Sequence, residues 1–294
     1  MTHAPKTLRL LMPEWQGGDY DTTPPTAQMY PLGARLLAFL APASDAPLVE
    51  VPVEQYTAAP RPVENGVVWQ EVVRRHYLAA RKIIDAHRPD RIVMFGGECL
   101  VNQAPFAYLN ERYGGDLGLL WIDAHPDIST PGMHDREHAM VLGNLLGHGD
   151  PSLSGEVARP FQSRQVLLVG IDAYEKAEEE AIVGELGLRV VPPGDMADGN
   201  GAVLRWIHDN GFAHIAVHFD LDALSPRAFY SQLLTNPADE PFDTVAGKLT
   251  LPQVARLLQE VSSVTDVVGL GITEHMPWDA YNLKTMMASL PIMR

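Results

Sequence analysis

The chain has 294 residues, 46% of them hydrophobic, enough for one large α/β domain or two small ones with a sizeable buried core. A formal net charge of −15 argues against nucleic acid as a partner, because that affinity is built from Lys and Arg neutralising phosphates. No apolar run reaches membrane-spanning length, the opening MTHAPKTLRLLMPEW lacks a secretory cleavage pattern, and a single cysteine rules out an internal disulfide framework, so a cytoplasmic protein that does not enter membranes is expected.

Eight short apolar runs, each bounded by Gly, Pro or Asp, read as strands: TLRLLMP, PLVEVPV, DRIVMFGG, DLGLLWIDAH, RQVLLVGID, GLRVVPP, FAHIAVHFDLD and DVVGLGITEH. The Pro- and Gly-rich stretch 13–31 reads as a long loop after the first of them. Between the second and third, residues 64–88 place Val68, Val72, Val73, Tyr77, Ala80 and Ile84 at spacings of three and four, a helical stripe that stops before Pro89. Near the C-terminus TLPQVARLLQEV marks another helix, with Thr250 and Gln253 spaced for a capping box and Pro252 in the first turn, where no amide donor is needed. Strand, helix, strand repeats predict a mainly parallel sheet with helices on both faces. No linker, repeat or low-complexity tract interrupts the pattern, so residues 1–294 are expected to form one domain.

Open parallel sheets bind ligands beyond the carboxyl ends of their strands, and the acidic residues gather there. LLWIDAHPD ends one strand with Asp123, His125 and Asp127, whose alternate spacing places all three on one side of an extended chain. AVHFDLD ends another with Asp220 and Asp222, GLGITEH a third with Glu274 and His275, and MFGGECL a fourth with Glu98 and Cys99. Carboxylates that converge without a cation repel one another, and a divalent metal relieves that repulsion. Oxygen-rich sets with one or two imidazoles suit Mn(II) and similar ions. The plainer reading of an acidic strand end is a cap for the next helix; D-x-H-x-D together with D-x-D in one α/β chain favours the metal.

DAHPD followed by FDLDALSP, with GGEC before and TEH after, resembles the arginase, agmatinase and formimidoylglutamase family, the ureohydrolases. The resemblance implies a three-layer α/β/α fold with an eight-stranded, mainly parallel sheet, as in the distantly related deacetylases. It also implies two Mn(II) ions that activate a bridging hydroxide for attack on a guanidinium or formimino carbon. By the same resemblance Asp123, His125, Asp127, Asp220 and Asp222 are metal ligands, with Asp123 and Asp220 bridging. Glu274 pairs with the substrate's guanidinium, and His138 in HAM occupies the place of a proton-shuttling histidine, unless it is simply a polar residue at a helix start. A small-molecule substrate and a homo-oligomer are further implications.

The sequence departs from the family where Cys99 stands in place of a metal-ligand His. Three outcomes compete: a thiolate ligand for a softer ion such as Zn, Fe, Co or Ni, a site reduced to one metal, or an inert buried thiol. His218, two positions before Asp220 on the same strand face, is either a substitute imidazole or, more ordinarily, a packed core histidine. Ser225 replaces an acidic residue in a turn that Ser can also stabilise. The loop ISTPGMHDRE lacks the segment with which arginases hold an α-amino acid, so an agmatinase-like or other amidine substrate is expected, with Glu175 or Asp172 as candidate partners of a substrate amine. Two rivals remain: a thiol enzyme using Cys99, disfavoured because Glu98 beside it would raise the thiol pKa, and a catalytically weak or inactive ureohydrolase-like protein that binds a small ligand or acts as an assembly subunit.

Overall fold

The eight apolar runs form strands, and those inside the sheet do so because their Val, Leu and Ile side chains are largely buried on both faces, whereas the edge strands of the second and sixth runs stay partly exposed. The computed structural model describes residues 5–18, 26–55, 61–237 and 244–293. In chain order the elements are β1 (Thr7–Met12), α1 (Thr26–Leu40), β2 (Leu48–Glu50), β3 (Val63–Glu64), β4 (Val67–Val68), α2 (Gln70–His87), β5 (Arg91–Gly96) and α3 (Gln103–Arg112). There follow β6 (Gly118–Ile122), α4 (Val141–Leu146), α5 (Pro151–Ser154), β7 (Val166–Val169), α6 (Ala177–Glu185) and β8 (Arg189–Val191). The last are α7 (Gly201–Asn210), β9 (His214–Asp220), α8 (Leu251–Val264), β10 (Asp266–Thr273) and α9 (Trp278–Ser289).

Eight strands pair in the order β2-β1-β5-β10-β9-β6-β7-β8, and every pair is parallel. Alternation along β6 shows the three layers. Leu119 and Trp121 belong to the core built with α2, α3 and α4, whereas Leu120 and Ile122 belong to the core built with α7 and α8. The four strands whose ends carry the acidic motifs, β5, β10, β9 and β6, are the central neighbours of the sheet, so residues far apart in sequence meet at one edge.

Three local expectations need correction. The stretch 13–31 is not loop throughout, since α1 starts at Thr26 and contains Pro31; residues 19–25 of that stretch lie outside the described ones. An interior proline costs a helix about 3 kcal/mol, but burying Met29 and Tyr30, each 1% exposed or less, returns roughly 1.5–3 kcal/mol apiece. Val68 lies in a β3–β4 hairpin rather than on the helical stripe. Asn65 and Gly66 turn it with φ of 53° and 86°, the left-handed pair that tight hairpins require, and α2 begins only at Gln70. Finally, D-x-H-x-D is not extended: β6 ends at Ile122 and Asp127 has φ of 47°. The Asp123 carboxylate accepts the His125 N–H at 2.7 Å, and this side-chain turn bends the chain around the site. In α8 the Gln253 side-chain oxygen accepts the Thr250 N–H at 2.9 Å, as the capping spacing predicts.

Candidate metal centre

Two backbone features set the floor of the site. The Gly96-Gly97 turn passes so close to the segment after β1 that a Cβ on Gly97 would lie 1.8 Å from the Glu14 carbonyl oxygen. Directly after it, Glu98 caps a short 3-10 helix, Cys99–Asn102, by accepting the Leu100 N–H at 2.7 Å. The Glu98 carboxyl also meets that of Glu14. On the other strand ends the D-x-D pair repeats the turn seen after β6, with Asp220 Oδ1 accepting the Asp222 N–H at 2.7 Å.

Cys99, His125, Asp127, His138, Asp220, Asp222 and Glu274 line one cavity of about 240 Å³. Asp123, 1% exposed, lies behind His125, whose Nδ1 is 3.6 Å from Asp123 Oδ1 and 3.0 Å from Asp222 Oδ2. Two sets of donor atoms converge closely. One comprises Asp123, His125 and Asp222; the other comprises Cys99, Asp123, His218 and Asp220. The Asp127 and Glu274 carboxylates belong to neither set but share the cavity, and both residues are held at positive φ, 47° and 62°. Such strain persists where surrounding structure fixes it, as it commonly does at functional sites.

The electrostatics fit a cation. Burial raises the pKa of Asp127, Asp220 and Asp222, and the neighbouring carboxylates raise it further. Burial opposes ionisation of Asp123 too, yet the His125 and His218 imidazoles hold it below the usual carboxylate range. The Cys99 thiol is pushed up by burial and then by the charges of Asp220, Asp127, Glu274 and Asp123. Asp127 Oδ2 and His218 Nε2 are buried without a well-aligned hydrogen-bond partner. Five carboxyl groups, a thiol and two imidazoles with unused donor atoms are the chemistry a divalent ion satisfies.

Other expectations divide. Glu175 lies on the cavity wall, 3.5 Å from His125 Nε2, while Asp172 pairs with Lys248 at 2.6 Å and is not among the lining residues. His275 turns toward α1, with Nδ1 3.2 Å from the Gly33 carbonyl oxygen. Ser225 Oγ accepts the Arg227 N–H at 3.4 Å, within a turn. The wall also contains Tyr30, His134, Glu179, Leu233, Leu234 and Thr244, which sequence reasoning missed. They come from α1, the first turn of α6, a short 3-10 helix at Leu233–Thr235 and loops, and no motif marks them.

Behind the cavity runs a buried polar chain. The Glu54 N–H donates to His76 Nε2 at 3.0 Å, so the neutral ring carries its proton on Nδ1 and donates it to Glu14 Oε1 at 2.6 Å. Burial pushes Glu14 up to about 8 and His76 down to about 4. Because the folded state holds Glu14 protonated, its contribution is complete below the unfolded value of about 4.5 and is lost as pH rises through 8. The neutral His76 ring adds stability as pH rises from about 4 to 6.5 and offsets Glu14 over that range, so the metal-free protein is expected to lose stability from this pair between about pH 6.5 and pH 8, and Glu14→Gln to flatten that decline. Urea midpoints of both proteins across this range test it, and parallel curves would remove Glu14 as the cause.

A parallel α/β sheet carrying carboxylate and imidazole donors beyond its central strands defines a class of metal-site proteins, and comparison narrows it. The arginase family model matches residues 39–294, and the chain belongs to that family of hydrolases. An arginase of Coccidioides posadasii is 24% identical over 225 residues, which is 71% of this chain and 66% of that protein, just under two thirds of its length. Among solved structures, Bacillus caldovelox arginase is 16% identical with a TM-score of 0.73, covering 93% of this chain and 92% of the other. Entamoeba histolytica arginase, solved with L-ornithine, is 17% identical with a TM-score of 0.72, covering 93% and 91%. The likeness to these structures establishes a shared fold. No described helix is long and apolar enough to cross a membrane.

Proposed function

We propose that this chain, as one domain spanning 1–294, is a metal-dependent hydrolase of C–N bonds in linear amidines, with a guanidino or formimino substrate ending in an amine rather than in an α-amino acid. The observation that carries the reading is the sign of the cavity. Asp127, Asp220, Asp222, Glu175, Glu179 and Glu274 line it, and none of its described lining residues is Lys or Arg. Such a wall attracts a cation at both ends and disfavours a substrate carboxylate.

Asp123, His125, Asp127, Asp220 and Asp222, with Cys99, would hold one or two divalent ions, with Mn(II) the first candidate by family resemblance. A bound ion of this kind supplies a water acidic enough to lose its proton near neutral pH and polarises the group under attack. The remaining work falls to the chain. Glu274 accepts paired N–H bonds from the planar amidinium and fixes the carbon over the ligand cluster. Glu175, beside His125 on the cavity wall, receives the substrate's amine; its own pKa is lowered by the adjacent His125 imidazole, so it is anionic at neutral pH. His138 is the second residue of a short 3-10 helix, Glu137–Met140, where its N–H bonds the Gly17 carbonyl at 2.9 Å, and its ring meets His134 edge-on at 5.5 Å. From that wall it can pass a proton to the nitrogen that leaves.

A cytosolic location and a homo-oligomeric assembly complete the proposal. The one cysteine is buried and free, and near the C-terminus Leu283, Met286, Met287 and Ile292 are exposed apolar side chains that an assembly would cover. The substrate reading is tested by release of urea or formamide from arginine, agmatine, guanidinobutyrate and formiminoglutamate. Agmatine-like amines are expected to exceed arginine in kcat/KM by about 10–100-fold, the cost of one unmatched charged group. Arginine turned over equally well would defeat the amine-ended assignment.

A further inference from the structure

Cys99 and His218 face each other across the same acidic floor. Cys99 Sγ donates to Asp220 Oδ2 at 2.8 Å, from the start of the 3-10 helix that follows β5. His218 comes from β9, is wholly buried, and stacks on Trp121 with ring centroids 3.7 Å apart and planes 11° from parallel. Its Nε2 stands 3.3 Å from Asp123 Oδ2 without a well-aligned hydrogen bond. On the ring's other side Nδ1 lies 2.8 Å from Asn102 Nδ2, while Asn102 Oδ1 has no partner. Rotating that amide by half a turn lets Oδ1 accept from Nδ1–H and leaves the Nε2 lone pair aimed at the cluster. Asn102 fits only because residue 271 is glycine: a Cβ there would lie 1.8 Å from Asn102 Oδ1.

We propose that Cys99, Asp123, His218 and Asp220 form a rebuilt four-donor cation site that prefers a thiophilic ion such as Zn(II) or Co(II) over Mn(II). Within the hydrolase reading, on which this rests, the site lies beside the Asp123, His125 and Asp222 set and shares Asp123 with it. His218 supplies the imidazole that the sequence lacks at position 99, by reaching the cluster from β9, two strands along the sheet from β5. A thiolate and an imidazole with two carboxylates suit Zn(II) or Co(II), whereas an oxygen-dominated set suits Mn(II). The thiol proton now directed at Asp220 passes to solvent when the ion binds, so loading releases acid.

The test titrates chelator-stripped full-length protein with Co(II), counting bound ions and recording the near-ultraviolet band in which thiolate sulfur transfers charge to cobalt. The band is expected to saturate at about one equivalent and to be displaced by Zn(II) at far lower concentration than by Mn(II). Cys99→Ser is expected to abolish it, Cys99→His to abolish it while keeping the ion, and His125→Gln to leave it in place. His218→Gln is expected to lose about one ion per chain, with thermal melts establishing that each variant is folded. Cobalt bound without the band, or a band that survives Cys99→Ser, overturns this inference and leaves the hydrolase reading intact. No cobalt bound by folded wild-type protein overturns this inference, and the hydrolase reading falls with it only where Mn(II) and Zn(II) are not bound either.

Discussion

Asp220→Asn is expected to lower turnover by about 10³-fold or more, because cation chemistry at such a centre supplies several kcal/mol of transition-state stabilisation. Asp220 is placed to contribute to the whole cluster. One oxygen accepts the Asp222 N–H and so shapes the D-x-D turn, while the other accepts the Cys99 thiol. The amide side chain keeps an acceptor for the turn but removes a charge from the floor of the cavity. Burial and the charges of Asp222 and Asp123 already raise the Asp220 pKa, so the metal-free variant should melt no lower than metal-free wild type at neutral pH. Activity and bound metal should fall together while the fold survives. A variant that keeps wild-type metal content and turnover would remove Asp220 from the centre.

Glu274→Gln is expected to cost about 10²–10³-fold in kcat/KM, since truncating one partner of a buried charged pair costs roughly 2–5 kcal/mol. The residue follows β10, its N–H bonds the Gly97 carbonyl at 2.8 Å, and its backbone sits at φ of 62°. That conformation directs a carboxylate, 5% exposed, into a cavity whose other acids repel it. A cationic planar substrate relieves the repulsion, which makes the interaction specific for guanidinium and amidinium groups. The substitution should leave metal content unchanged, and steady-state kinetics beside metal analysis separate it from Asp220→Asn. Loss of metal in Glu274→Gln would reassign the residue as a ligand.

The sheet was legible because its strands are nearly continuous apolar runs, and the site was legible because Asp and His recur at their carboxyl ends. Helix boundaries were less so. Asn65-Gly66 signals a hairpin, but the stripe of valines beside it matched helical spacing as well, and Pro31 disguised a helix whose buried face outweighs its defect. His218 shows a different limit. Strand alternation placed it on the same face as Asp220, yet whether its nitrogen meets the ligands depends on Trp121 beneath the ring and on the space that Gly271 leaves for Asn102. The walls formed by Tyr30, His134 and Glu179 depend on long-range packing and carry no local pattern.

Metal content per chain tests the central claim most directly, measured on protein stripped of metal and then reconstituted separately with Mn(II), Zn(II) and Co(II). The two donor sets predict about two ions per chain with at least one of these metals, and amidine hydrolysis that appears only in the reconstituted protein. Folded protein that binds no ion from any of the three would contradict the account and favour a ureohydrolase-like protein that binds a small ligand without turning it over.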